Sequence, residues 1–379
     1  MASDPNQDVP PIEAQRAAPA YAAAPARPAV ASQVVVQPRR RGRGLAVFFT
    51  LLLLFLLAGS MLMNLGLLAT VGSSGSVDSP LDEKHFALER MGSNKVAIIE
   101  IKGTITETDG GFVKRQIDQI REDDAVKAIV LRIDSPGGTV FASDYQYHHL
   151  KKLAEQREIP LVVSMGGLAA SGGYYVAMAV GDTEDTIFAE PTTWTGSIGV
   201  IIPHYDFSGL MADWQIEDDS VVSHRLKGMG SPAREMTEEE RTIFQQLVDD
   251  SFNRFKDIVR YGRPRFAEDE AALDKVATGQ VFATPQALQF GLVDKEGFIE
   301  HAIDRAIELA AIDPEDTQVV KYTKQTGLMD ALMFGSQGSA FGTQRDAAQN
   351  SLAGLFDLTT PRAYYLWTWP PAAALGSSK

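Results

Sequence analysis

Three short runs of aliphatic and β-branched residues, at 96–101, 128–133 and 161–164, alternate with helical patterns at about 112–122 and 141–156. Runs this short and this uniformly apolar suit strands covered on both faces, and repeated strand, helix, strand order implies crossovers that leave the strands parallel. An α/β domain is therefore expected, with its ligand site at the strand ends, where the glycine-rich turns fall. Further short strands are expected at 187–189 and 198–202. Thr237-Glu-Glu-Glu240 has the form of a capping box. The helix it opens should run to about Tyr261, with Phe244, Leu247, Val248, Phe252, Phe255 and Val259 on one face as core or subunit contact.

Ahead of this domain, residues 45–71 contain no charged side chain across 27 positions, more than the roughly 20 apolar residues that cross a bilayer as a helix. A cleaved signal peptide has a shorter apolar core and a shorter leader. The run reads as a transmembrane signal anchor, and Arg39, Arg40, Arg41 and Arg43 beside it place the N-terminus in the cytoplasm and the rest of the chain outside it. The expected organisation is a disordered cytoplasmic leader with juxtamembrane arginines at 1–44, the anchor at 45–71, a linker at 72–94, the α/β domain at 95–310 and a C-terminal extension of unknown role at 311–379. The tail Tyr364-Tyr-Leu-Trp-Thr-Trp369 is aromatic. It is expected to pack on the domain, the membrane interface being the alternative.

Residues 1–44 carry a charge of +3, which leaves −17 of the total −14 for the remainder. An acidic domain repels phosphate backbones, so nucleic acid is excluded as the main partner. There is no cysteine, hence no disulfide and no thiolate metal site.

Ser171 follows the third apolar run among glycines, in Ala169-Ala-Ser-Gly-Gly-Tyr-Tyr175. Serine-dependent amide hydrolysis needs a hydroxyl that can be deprotonated and two N–H groups facing the oxygen that becomes negative. Glycine at 172 allows a substrate to approach the backbone closely. The competing reading is that Ser171 caps a helix and its glycines permit tight packing. Asp134-Ser-Pro-Gly-Gly138 closes the second run and is a turn by composition. It serves either as structure alone or, through the Gly138 N–H, as half of an oxyanion hole. The base is harder to assign. His148 and His149 are adjacent on a helix and point different ways, His224 is a conventional candidate, and no His-x-x-x-His cluster marks a metal. A lysine can serve if desolvation favours its neutral form. Lys227 stands in a loop just before the capped helix.

Taken together, Arg132-Ile-Asp-Ser-Pro-Gly-Gly138, the Ser171 segment, Thr195-Gly-Ser-Ile-Gly-Val200, Lys227 to Thr237, and Gly279-Gln-Val-Phe followed by Gly291-Leu-Val-Asp294 resemble the bacterial signal peptide peptidases of the SppA type. The resemblance covers about 95–310 and implies a ClpP/crotonase-like α/β spiral preceded by one transmembrane helix. It further implies a membrane-bound serine protease with Ser171 as nucleophile, Lys227 as general base, Ser197 holding that lysine, and Gly138 and Gly172 supplying the oxyanion N–H groups. No cofactor is expected. The implied partners are hydrophobic peptides such as remnant signal peptides, the membrane, and further copies of the chain in a ring or dome. Two rivals are a catalytically silent oligomeric membrane scaffold and a crotonase-like acyl-CoA enzyme, the latter disfavoured by a location outside the cytoplasm.

Overall fold

The computed structural model describes residues 43–73, 81–324 and 363–366. It divides into two units, Met1–Ala69 and Thr70–Lys379. Helix α1 (Arg43–Ser73) covers the apolar run. Its described side chains, 47–62 and 64, are all exposed, and among the described residues no helix is long and apolar enough to cross a membrane. The leader up to residue 42 and the segment 74–80 lie outside the described residues.

The second unit is built from strands β1 (Asp82–Leu88), β2 (Asn94–Lys102), β3 (Val126–Ser135), β4 (Gly137–Thr139), β5 (Leu161–Ala170), β6 (Ile187–Ala189), β7 (Trp194–Gly196), β8 (Val281–Ala283), β9 (Lys295–Glu296), β10 (Thr317–Thr323) and β11 (Tyr364–Leu366). Its helices are α2 (Phe112–Glu122), α3 (Val140–Arg157), α4 (Gly172–Ala177), α5 (Ser208–Asp213), α6 (Glu238–Gly262), α7 (Arg265–Glu268), α8 (Glu270–Val276), α9 (Thr284–Phe290) and α10 (Ile299–Ala310). The main sheet runs β1-β10-β2-β3-β5-β6-β9, with β7 and β8 continuing from β5. From β10 to β9 every neighbour is parallel, while β1 and β8 attach antiparallel. This is the mixed α/β architecture with a large, mostly parallel sheet that the apolar runs imply.

Successive residues of the central strands face opposite layers. Ala97, Ile99, Leu131, Val163 and Met165 pack with side chains of α2, α3, α4 and α6, whereas Val96, Ile98, Ala128, Val130 and Val162 pack with Ala302, Ile303, Ala306 and Ile307 of α10. Both faces are dry, which is why these strands read as continuous apolar runs rather than as alternation.

The structure revises several sequence boundaries. Part of the segment taken as a linker, 82–88, is an edge strand, and part of the C-terminal extension, 317–323, lies inside the sheet between β1 and β2. The strand expected at 198–202 is displaced to 194–196, because Gly196 at φ 86° and Ser197 at φ 51° turn the chain out of the extended conformation. In α6 only the C-terminal half is core: Phe255, Ile258 and Val259 are buried, Phe244 and Val248 are half-buried, and Leu247 is exposed.

Candidate active site

Strand β5 ends at Ala170, α4 starts at Gly172, and the single residue between them is Ser171. No loop is available, so one residue must reverse the chain, and Ser171 does so at φ 53°, ψ −114°. That conformation costs an L-residue about 1–3 kcal/mol and persists only where its surroundings impose it. Here the end of β5 is fixed by pairing Ala169 with Thr195 and Ala170 with Gly196. The Ser171 N–H donates to the Gly196 carbonyl at 2.7 Å, and its own carbonyl accepts from Tyr175 N–H at 2.8 Å. The reading of Ser171 as a helix cap fails on two counts. Its side chain makes no capping hydrogen bond, and its backbone is not the extended form that caps adopt. What remains is a buried, strained serine at a strand-to-helix corner, 1% exposed.

The glycine turn after β3 is brought directly against this corner. Arg132 pairs with Glu190 at 2.6 Å and donates to Ser164 Oγ at 2.8 Å. Asp134 accepts from Leu168 N–H, and Ser135 Oγ donates to the Gly103 carbonyl while accepting from Gly137 N–H at 3.0 Å. On one edge β4 is tied to Ile105, whose N–H donates to the Gly137 carbonyl at 2.8 Å and whose carbonyl accepts from Thr139 at 2.9 Å. The N–H of Gly138 is thereby left to face the other edge, toward α4. A Cβ built on Gly172 would stand 3.0 Å from the Gly138 nitrogen, and one on Gly137 would stand 2.6 Å from the Gly172 nitrogen. The two amides assigned by resemblance are thus neighbours, in a space that side chains at these positions would fill.

Ser197 is 5% exposed and lines the same cavity as Ser171, a cleft of about 560 Å³ that also takes in Ile201, Val248, Phe252 and Leu366. Its hydroxyl donates to the Gly279 carbonyl at 3.0 Å. A hydroxyl has one proton, so its remaining capacity is as an acceptor, which suits an incoming ammonium or amine.

Lys227 is placed differently. It belongs to a 3-10 turn, Arg225–Gly228, is exposed, and does not line the Ser171 cavity. Within one copy of the chain the structure therefore brings together Ser171, Gly138, Gly172 and Ser197, but not Lys227. The segment that carries it displays Tyr205, Phe207, Leu210, Trp214 and Val221 to solvent, Trp214 at 73% and Val221 at 99% exposure. His224 caps the lysine's turn, its Nδ1 accepting from Leu226 N–H, and is likewise exposed. His149 packs against Tyr145 of α3, with ring centroids 4.3 Å apart and planes inclined by 50°.

A second pocket, around the β11 side chain, has no local sequence signature. It is formed by Tyr175, which donates to Asp144 at 2.5 Å, by Phe255, and by the Ser251 carbonyl, and Tyr365 fills it. Burial pushes the phenols of Tyr175 and Tyr365 above their ordinary values, so both remain donors. The paired tyrosines at 174 and 175 were visible beside the serine, but nothing local tells which partner from α6 meets them.

The sequence profile described as Peptidase family S49 matches residues 153–313, a stretch that includes Ser171, Ser197 and Lys227. A putative signal peptide peptidase SppA of Enterococcus faecium is 33% identical over 251 residues, covering 63% of this chain and 70% of that protein. A putative protease of Synechocystis is 37% identical over 228 residues, covering 59% of this chain and 78% of its own length. Protease 4 of Haemophilus influenzae is 32% identical over 240 residues, 61% of this chain but 37% of that longer protein.

Proposed function

The chain belongs to peptidase family S49, among the SppA-type serine peptidases, and from that premise we propose that it is a membrane-anchored endopeptidase working through a Ser171/Lys227 dyad. The observation that carries the proposal is Ser171 itself, held in a strained corner with its side chain spent on no cap and with the Gly138 and Gly172 amides beside it. Ser171 Oγ attacks a peptide carbonyl, and the two amides hold the oxygen that becomes negative. Lys227 takes the serine proton and passes it to the leaving amine, and water then releases the acyl group.

In this reading the lysine reaches the serine of a neighbouring copy. Support comes from its exposed position on a segment whose apolar side chains lack cover in a single chain, as a subunit contact would require. Ser197, with acceptor capacity left at the cavity wall, is the group that would hold the amine. The fold would then be the ClpP/crotonase-like spiral, assembled as a ring or dome. Anchoring rests on the uncharged run 45–71, the flanking arginines and the helix that covers the run. The catalytic domain lies outside the cytoplasm, where hydrophobic peptides such as remnant signal peptides are the substrates.

A fluorophosphonate probe tests the nucleophile. The wild-type chain should be labelled and Ser171→Ala should not; equal labelling of the variant rejects Ser171. Casein hydrolysis by the detergent-solubilised protein, lost in Lys227→Ala, separates the enzyme from a silent scaffold.

A further inference from the structure

One wall of the Ser171 cleft is the N-terminal half of α6. Gln245, Val248, Asp249 and Phe252 recur at spacings of three and four, which puts them on one helix face, and all four line the cavity with Ser171 and Ser197. The other wall segments, 197–201 and 277–279, carry no titratable side chain. Among the described residues Asp249 is therefore the one charged group on the lining.

That carboxylate is not neutralised within the chain. Its Oδ1 accepts from the neutral Gln245 amide at 2.7 Å, and among the described residues it has no ion pair. The cations nearest along α6 are engaged elsewhere. Arg254 pairs with Asp144 at 3.0 Å, and Arg241 lies 3.9 Å from Glu238 and lines the adjoining cavity with His204. A carboxylate only accepts hydrogen bonds, so Asp249 faces the cleft with capacity for a cation.

The lysine turn shows the converse. Arg225 is paired with Glu239, and His224 spends its Nδ1 on the Leu226 amide. The exposed Lys227 amine, by contrast, has no hydrogen bond or ion pair among the described residues. An unpaired carboxylate at the cleft and an unpaired ammonium on an uncovered apolar segment are complementary.

We propose that Asp249 is the positioning residue of the dyad, receiving the Lys227 ammonium of a neighbouring copy and holding it beside Ser197. This rests on the Ser171/Lys227 reading. Ser197, whose proton is committed to the Gly279 carbonyl, supplies a second acceptor. An adjacent carboxylate favours the charged amine, whereas burial by the arriving copy opposes it. The lysine thus docks as an ammonium, gives that proton to solvent, and as a neutral amine takes the proton of Ser171 Oγ. Asp249 thereby strengthens the contact and sets the pH at which the base becomes available.

The full-length protein in detergent is assayed across pH for casein kcat/KM and for the rate of fluorophosphonate labelling, the second separating titration of the enzyme from that of casein. Asp249→Asn removes the charge and little else, so the acid limb of both profiles should move down by about one pH unit. Asp249→Glu should hold the limb near its wild-type position. A merely structural role would scale the rate at every pH and leave the limb in place, and thermal midpoints show whether each variant is folded. A carbodiimide, which joins a carboxylate to an amine in direct contact, should give a covalent dimer of the wild type with Asp249 linked to Lys227 in its peptide map. An unmoved limb in Asp249→Asn, or the absence of that link, overturns the proposal alone, and the link decides if the variant is too slow for a profile. A Lys227→Ala chain that still hydrolyses casein and takes the probe overturns it together with the dyad.

Discussion

At the scale of single residues, the site depends on one serine accepting strain and two glycines leaving room. Ser171 was legible because a serine stands among glycines after an apolar run, although that run reads as ending at Ser164 whereas the strand continues to Ala170 and leaves no loop. What decides against the cap reading was not legible, since it rests on backbone angles that only the pairing of β5 with β7 imposes. Gly172→Ala should be a sharp test. The added methyl would meet Ser143 Oγ and crowd the Gly138 amide, so kcat for casein should fall by about 10²–10³, the loss expected when an oxyanion donor is disabled, with little change in thermal midpoint if Ser143 rotates away. Tyr365→Phe removes only the hydroxyl that donates to Ser251. With a buried hydrogen bond contributing about 1 kcal/mol, the thermal midpoint should fall by about 2 °C, read by calorimetry. An unchanged midpoint would show that the stacked ring, and not the phenol, holds β11 on the domain.

Among the elements, those with a strong local signal were the ones the sequence located. The helix at 112–122, the long helix after Thr237 and the core strands all carry periodicity or caps within a dozen residues. Strands β1 and β10 lacked such a signal. The first is an edge strand bearing Asp82, Glu83 and Lys84, and the second joins β2 across more than 200 residues of sequence, a pairing no local pattern reports. The cap of α6 makes a pH prediction. The paired Arg234 guanidinium, together with the Thr237 amide, holds the Glu240 carboxyl down at about 2 despite burial. An unfolded glutamate titrates near ~4.3, so the folded state binds the proton more weakly. The resulting stability is fully present above the unfolded value and is lost as pH falls through the folded one. Glu240→Gln should therefore lower the thermal midpoint at neutral pH, and the gap from wild type should close as calorimetry is repeated toward pH of about 2. A gap that persists unchanged would mean that the charge on Glu240 is not what holds the cap.

For the whole molecule, the decisive fact is that a single copy brings together Ser171, the Gly138 and Gly172 amides and strand β11 but leaves Lys227 exposed. If one copy's lysine completes another's site, two inactive variants must be able to repair each other. Ser171→Ala supplies an intact lysine and Lys227→Ala an intact serine. In a randomly mixed assembly with a repeating head-to-tail contact, about a quarter of the sites would receive both. Mixing the two variants under conditions that allow subunit exchange should thus restore casein hydrolysis to about that fraction, and Trp214→Asp in both partners should abolish the recovery by weakening the apolar contact. If the serine and lysine of one chain instead met after a rearrangement within that chain, each variant would lack half of every dyad, and no ratio of mixing would recover activity. Only the shared arrangement predicts recovery that rises with the product of the two fractions and peaks at equal amounts, so the shape of the mixing curve decides between them.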